Sequence, residues 1–206
     1  MARWETQSLG DFLRRIAIDY ARFGYTRYVL REIPPDKEPI VIDPKIRAAY
    51  QVTSCRTARM RLKRQGIARV QYLRFQHAFV LLATEGRHEA FARLRSYDMR
   101  SAPLHFRGYS IGFNGSTVSI QVASTVWHRV EQHIDALTFE LRSVLEEAIA
   151  TLPFYQFPGV VRQKQQLVQQ INRRRKRAGL PLVEFEWPKS IAPEFWNKRD
   201  CTALKG

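Results

Sequence analysis

Two stretches of this 206-residue chain place cations where a polyanion could meet them: RLKRQGIARV, residues 61–70, and RRKRAGLPLV, residues 174–183. Both read Arg, any residue, Lys, Arg, any residue, Gly, a branched aliphatic, two open positions and Val. Cations in the last turn of a helix complement its dipole, and a glycine just beyond it takes the left-handed conformation. That accounts for the glycine and for one or two bases. It does not account for five consecutive bases, Arg173, Arg174, Arg175, Lys176 and Arg177, which repel one another unless something neutralises them. Phosphate contact with release of counterions is the expected role of such a run.

The distribution of charge supports the same expectation. The chain has 34 Lys and Arg against 19 Asp and Glu, a formal net charge of +15. Between Asp43 and Glu85 there is no acid and there are nine bases, among them Arg56, Arg59, Arg61, Lys63, Arg64, Arg69 and Arg74. Between Glu147 and Glu184 there is again no acid, and seven bases. The remainder is close to neutral, so the excess is concentrated rather than spread over a uniformly basic surface. In CRTARMRLKRQ, residues 55–65, Arg56, Arg59 and Lys63 fall on one helical face, with Ala58, Met60 and Leu62 left to supply the buried side.

Aromatic residues interleave with the bases: Tyr72, Phe75 and Phe79, then Phe106, Tyr109 and Phe113. On an exposed sheet face such rings stack unpaired bases, although core packing is the stronger expectation for them. RGYSIGF, residues 107–113, resembles the signature of the RNA-recognition motif at Arg107, Gly108 and Tyr109, which makes Arg107 and Tyr109 candidate contacts. It departs from that pattern at Ser110, Gly112 and Asn114. QHAFVLLA, residues 76–83, resembles in one position the metal-binding strand of single-strand nicking enzymes of the HUH type: His77 matches the first histidine, and Phe79 stands where the second belongs. No phosphate-binding Gly-rich loop, dinucleotide fingerprint or G-x-S-x-G is present, and His128 and His133 are five apart, off the i, i+4 spacing of a helical zinc pair. No catalytic residue, metal ligand or cofactor is expected from these patterns. The two cysteines, Cys55 and Cys201, form no framework, which points to a reducing, cytoplasmic setting. The longest apolar run, AFVLLA, is too short to span a bilayer, and MARWETQSLGDF has no apolar stretch of the kind a secretory leader needs.

The elements that must carry these residues follow from periodicity and punctuation. Ser8–Phe23 reads as a capped amphipathic helix stopped by Gly24, and 25–33 as a strand closed by Pro34-Pro35. Asp43-Pro44 reads as the start of a helix that breaks near Thr53-Ser54 and restarts up to Gly66. Two strands, or one bent strand, follow around residues 74–76, then a short helix from His88, then a hairpin whose Asn114-Gly115 suits a type I′ turn. A long helix over 125–151, a second over 160–178, and an extended aromatic tail complete the chain.

The order over 25–122 predicts an α+β protein with an antiparallel ferredoxin-like (βαββαβ-type) sheet, an N-terminal helix and two C-terminal helices. The expected divisions are a sheet domain at 1–123, a helical pair with a basic end at 124–187, and an extended tail at 188–206. The expected function is binding nucleic acid, with structured RNA or single strands favoured over duplex DNA, as part of a ribonucleoprotein or mobile-element complex with protein partners and no membrane. Two alternatives have distinct signatures: a degenerate or active HUH-like metal-dependent single-strand nuclease built around His77, or a basic scaffold that docks acidic partners.

Overall fold

The computed structural model describes residues 4–52 and 55–185. The chain is α+β and forms two compact units, Met1–Leu104 with Ile111–Ser119, and His105–Ser110 with Ile120–Gly206. The tail predicted at 188–206 lies outside the described residues, as do Thr53 and Ser54.

The first unit is built on a five-stranded sheet of order β1-β3-β4-β2-β5, from β1 (Glu5–Thr6), β2 (Arg27–Glu32), β3 (Val70–Phe75), β4 (Ala78–Ala83) and β5 (Tyr97–Asp98). The expected sheet was antiparallel throughout; the observed one is mixed, because β1, absent from the sequence-based reading, joins β3 in parallel with Glu5 opposite Arg74. A two-residue strand carries no periodicity to detect. β3 and β4 are buried along their whole length, because both faces of the sheet are covered. Val29, Val70, Tyr72, Phe79 and Leu81 pack on one side with Phe91, Ile42 and Ile46. The alternate residues Leu73, Phe75, Val80 and Leu82 are equally buried, and Phe12 reaches Phe75 with ring centroids 6.0 Å apart.

Phe12 belongs to α1 (Leu9–Arg14), which Ser8 caps by accepting from the Asp11 N–H; the helical path continues in wider and then tighter turns to Phe23, and Gly24 ends it at φ +87°. Ile42 and Ile46 belong to α2 (Pro39–Ala49), and Phe91 to the short α4 (Glu89–Ala92). α2 corrects one expectation. It starts at Pro39, not after Asp43, so Asp43 lies inside the helix with its carboxylate turned into the core. Pro44 then removes one intrahelical bond, to the carbonyl of Ile40, a residue exposed to water that can replace it. α3 (Arg56–Arg64) follows and has no buried residue.

A second sheet, order β6-β7-β8, comprises β6 (Leu104–Phe106), β7 (Tyr109–Asn114) and β8 (Thr117–Val122). The type I′ turn expected at Asn114-Gly115 is not there: Asn114 stays in β7, and Gly115 alone takes positive φ, at +60°. Two consecutive positive φ values, the mark of type I′, occur instead at Arg107 (+43°) and Gly108 (+82°), between β6 and β7.

The second unit contains α5 (Ser124–Ala136), α6 (Arg142–Ala150) and α7 (Pro158–Arg177). The single helix expected over 125–151 is therefore two. The interruption exposes the carbonyls of Thr138 and Glu140, and both accept from the guanidinium of Arg175. A partner on another helix decides this break, so local propensity could not announce it.

A candidate nucleic-acid interface

The two basic stretches share their skeleton because they are the same backbone device. At the end of α3, the N–H of Gly66 donates to Lys63 O and that of Ile67 to Leu62 O. At the end of α7, the N–H of Gly179 donates to Lys176 O and that of Leu180 to Arg175 O. Both are Schellman ends, with Gly66 at φ +67° and Gly179 at φ +69° supplying the left-handed residue. The glycine and the aliphatic are thus explained by helix termination. The cations are not.

On α3 the five cations Arg56, Arg59, Arg61, Lys63 and Arg64 make no ion pair with any described residue. Of the residues expected to bury this helix, Ala58 and Leu62 are half-buried but Met60 is 50% exposed, and Arg59 is half-buried in its place. The helix contributes little to the core and presents charge over most of its circumference. Its N-cap is Cys55, whose thiol is pushed below its ordinary range chiefly by the nearby backbone N–H groups of Ala58 and Thr57 and only weakly by Arg59.

The run at the end of α7 divides. Arg173, Lys176 and Arg177 are exposed and make no ion pair with a described residue. Arg174 pairs with Asp135 at 3.0 Å. Arg175 is 1% exposed and clamps three carbonyls, Pro181 O at 2.7 Å, Thr138 O at 2.7 Å and Glu140 O at 2.9 Å. A guanidinium so engaged holds the fold and is not available to phosphate. Further up α7, Lys164 is also buried, and burial pushes its amine down.

Arg74 is likewise structural. Its Nε lies 3.0 Å from both oxygens of Asp43, its Nη2 donates to Glu5 at 2.9 Å and its Nη1 to Gln76 O at 2.8 Å. Asp43 also accepts from Tyr72 Oη at 2.6 Å and Trp4 Nε1 at 3.3 Å, so β1, α2 and β3 are joined by one buried polar network. Tyr109 is buried too: its ring sits about 6 Å from those of Phe154, Tyr155 and Phe157, and its hydroxyl accepts from the Tyr155 N–H at 3.0 Å. Tyr72, Phe75, Phe79 and Phe106 are buried as well, in line with the core role expected for the aromatics. Arg107 is exposed at its turn, its guanidinium carbon 5.6 Å from the ring centre of Phe106.

Arg69 and Lys63 come together. They line one cleft of about 350 Å³ with Gly24, Thr26, Gly66, Ile67, Thr84, Glu85 and Arg100. The guanidinium of Arg69 lies 5.2 Å above Tyr25, which fixes it without neutralising it. Arg100, by contrast, is held by Asp98 at 2.6 Å and Glu85 at 2.8 Å, and its hydrogen bonds keep the Asp98 carboxyl below the usual range. Arg100, Glu85 and Thr26 carried no sequence signal, since each comes from a different loop or strand end.

His77 sits in the two-residue turn between β3 and β4, exposed, with Nδ1 3.3 Å from Ile33 O, while Phe79 points into the core. Among the described residues no three His, Cys, Asp or Glu side chains are grouped to hold a metal, and no helix is long and apolar enough to cross a membrane. No protein-family model matches this chain, and no curated protein matches it.

Proposed function

We propose that this protein binds nucleic acid through the phosphate backbone, with Arg56, Arg59, Arg61, Lys63 and Arg64 of α3, together with Arg69, Arg107, Arg173, Arg174, Lys176 and Arg177, as the contacting cations. One observation carries the reading. α3 buries no residue and pairs none of its five cations with an acid among the described residues, so packing does not account for its composition. Arg74, Tyr109 and Arg175 are left out because each is committed inside its unit. Of the aromatics that favoured structured RNA or single strands, Tyr72, Phe75, Phe79, Phe106 and Tyr109 are buried and Phe113 is half-buried, so phosphate contacts carry the binding, with no preference for a kind of nucleic acid.

The strands β3-β4-β2-β5 are antiparallel at every step, with α2 and α3 between β2 and β3, and α4 between β4 and β5. This order supports reading the sheet as ferredoxin-like with β1 added at an edge. The two-residue β5 is its weakest member. With both faces covered, such a sheet offers no stacking surface, and the cations of α3 carry the contact instead. A cytoplasmic setting and partners in a nucleoprotein complex belong to the same proposal.

The test is salt dependence of binding, read by fluorescence anisotropy with labelled duplex and single-stranded probes. Engagement of about six phosphates gives a log–log slope of about −5 on duplex and about −4 on single strands. A nearly flat dependence overturns the reading.

A further inference from the structure

The cleft beside α3 differs from the helix face next to it. The face is convex and can follow a string of phosphates, each with a single negative charge. The cleft is concave, and at about 350 Å³ it falls in the size range of small-ligand sites. Its charges are sorted: Arg100 is offset by Glu85 and Asp98, whereas Lys63 and Arg69 have no acidic partner among the described residues. Its wall also holds Thr26, 6% exposed, whose hydroxyl has no hydrogen-bond partner. A buried hydroxyl without a partner is costly unless a ligand or water answers it. Gly24 and Gly66 in its lining add no side chain to fill it.

We infer that this cleft is a site for a phosphate monoester, with Lys63 and Arg69 as its cations. A monoester carries about −1.5 to −2 charge near neutral pH and three terminal oxygens, which matches two uncommitted cations; a diester within a chain carries one charge and continues in both directions. A concave site suits a group that ends a chain. The inference rests on the nucleic-acid reading above, because Lys63 belongs both to the α3 face and to the cleft, so a backbone on α3 can finish in it. The same chemistry has two sources, the 5′-phosphate of a nucleic-acid end and a free nucleoside monophosphate.

The experiment compares short single-stranded DNA of one sequence with a 5′-phosphate or a 5′-hydroxyl, at fixed ionic strength, and titrates adenosine monophosphate alone in a second arm. The expected result is roughly tenfold tighter binding of the phosphorylated strand, a gain in the range of a charge-assisted contact. Weak binding of the mononucleotide beside that gain identifies the chain end as the ligand; mononucleotide binding without end preference identifies the free nucleotide. Equal affinity for both strands with no mononucleotide binding overturns the inference and leaves backbone binding standing. If neither strand binds, the nucleic-acid reading fails, and the mononucleotide arm still decides the cleft. Arg69→Gln, checked for an unchanged thermal midpoint, should abolish the preference, and its persistence overturns the assignment. Should loss of the stack on Tyr25 unfold that variant, Lys63→Gln at an exposed position gives the same readout.

Discussion

Adjacent arginines in the run 173–177 have opposite duties. Arg175 is buried and donates to three carbonyls, so Arg175→Gln should lower stability by about 3 kcal/mol, the size expected when a buried charged donor is removed from its acceptors. Replacing Arg173, Lys176 and Arg177 together by Gln should shift stability by no more than about 0.5 kcal/mol while weakening binding. Urea denaturation of both variants separates the two roles; a stable Arg175→Gln protein would put the clamp in error. Tyr72 supplies a second residue-level expectation. Burial first, and then its hydrogen bond to Asp43, raise its hydroxyl above the ordinary value of 10.0. The folded state therefore holds this proton more tightly than the unfolded one. Its contribution is complete below pH 10 and declines as pH rises above that value toward the raised folded pKa. Tyr72→Phe should flatten the loss of stability measured by chemical denaturation above pH 10; an unchanged alkaline slope would contradict this.

At the scale of elements, the two Schellman ends show what the repeated skeleton does. A Cβ built at Gly66 or Gly179 meets no atom within 4 Å, so substitution there costs backbone strain and not collision. Gly66→Val and Gly179→Val should each lower stability by about 1–2 kcal/mol, the cost of holding an L-residue in the left-handed region. Thermal unfolding checks this, and a larger loss would mean that the chain beyond the helix also shifts. The α5–α6 break belongs to the same scale. Arg175→Gln frees the carbonyls of Thr138 and Glu140, so its effect should be felt in the residues between those helices as faster amide exchange.

For the whole molecule, each compact unit presents a cluster of cations that make no ion pair with a described residue: the five on α3 in the first, and Arg173, Lys176 and Arg177 at the end of α7 in the second. If both serve one ligand, Arg61, Lys63 and Arg64 changed to Gln, or Arg173, Lys176 and Arg177 changed to Gln, should each reduce the magnitude of the salt slope by about 2–3 on the same probe. Loss from only one set, with the other silent in competition, would reduce the resemblance of the two stretches to helix termination alone.

Features that depend on neighbours within a turn or two were legible in the residues: the Ser8 cap, the glycine stops at 24, 66 and 179, and the acid-free windows that concentrate the charge; strand character around residues 74–76 was legible too, but whether it made two strands or one bent strand was not. Ser8 answers Asp11 three residues on, and Gly66 answers Lys63, so their partners are written beside them. Which cations stay unpaired among the described residues depends on long-range packing instead. Arg74 meets Glu5 across 69 residues because β1 lies parallel to β3, and Arg175 meets Thr138 across 37 because α7 brings its end to the α5–α6 break. The cleft likewise draws Thr26, Lys63, Arg69 and Arg100 from separate segments. A basic residue looks the same in sequence whether its charge is answered by a distant carboxylate, by carbonyls or by nothing, and that answer is fixed by sheet register and helix docking.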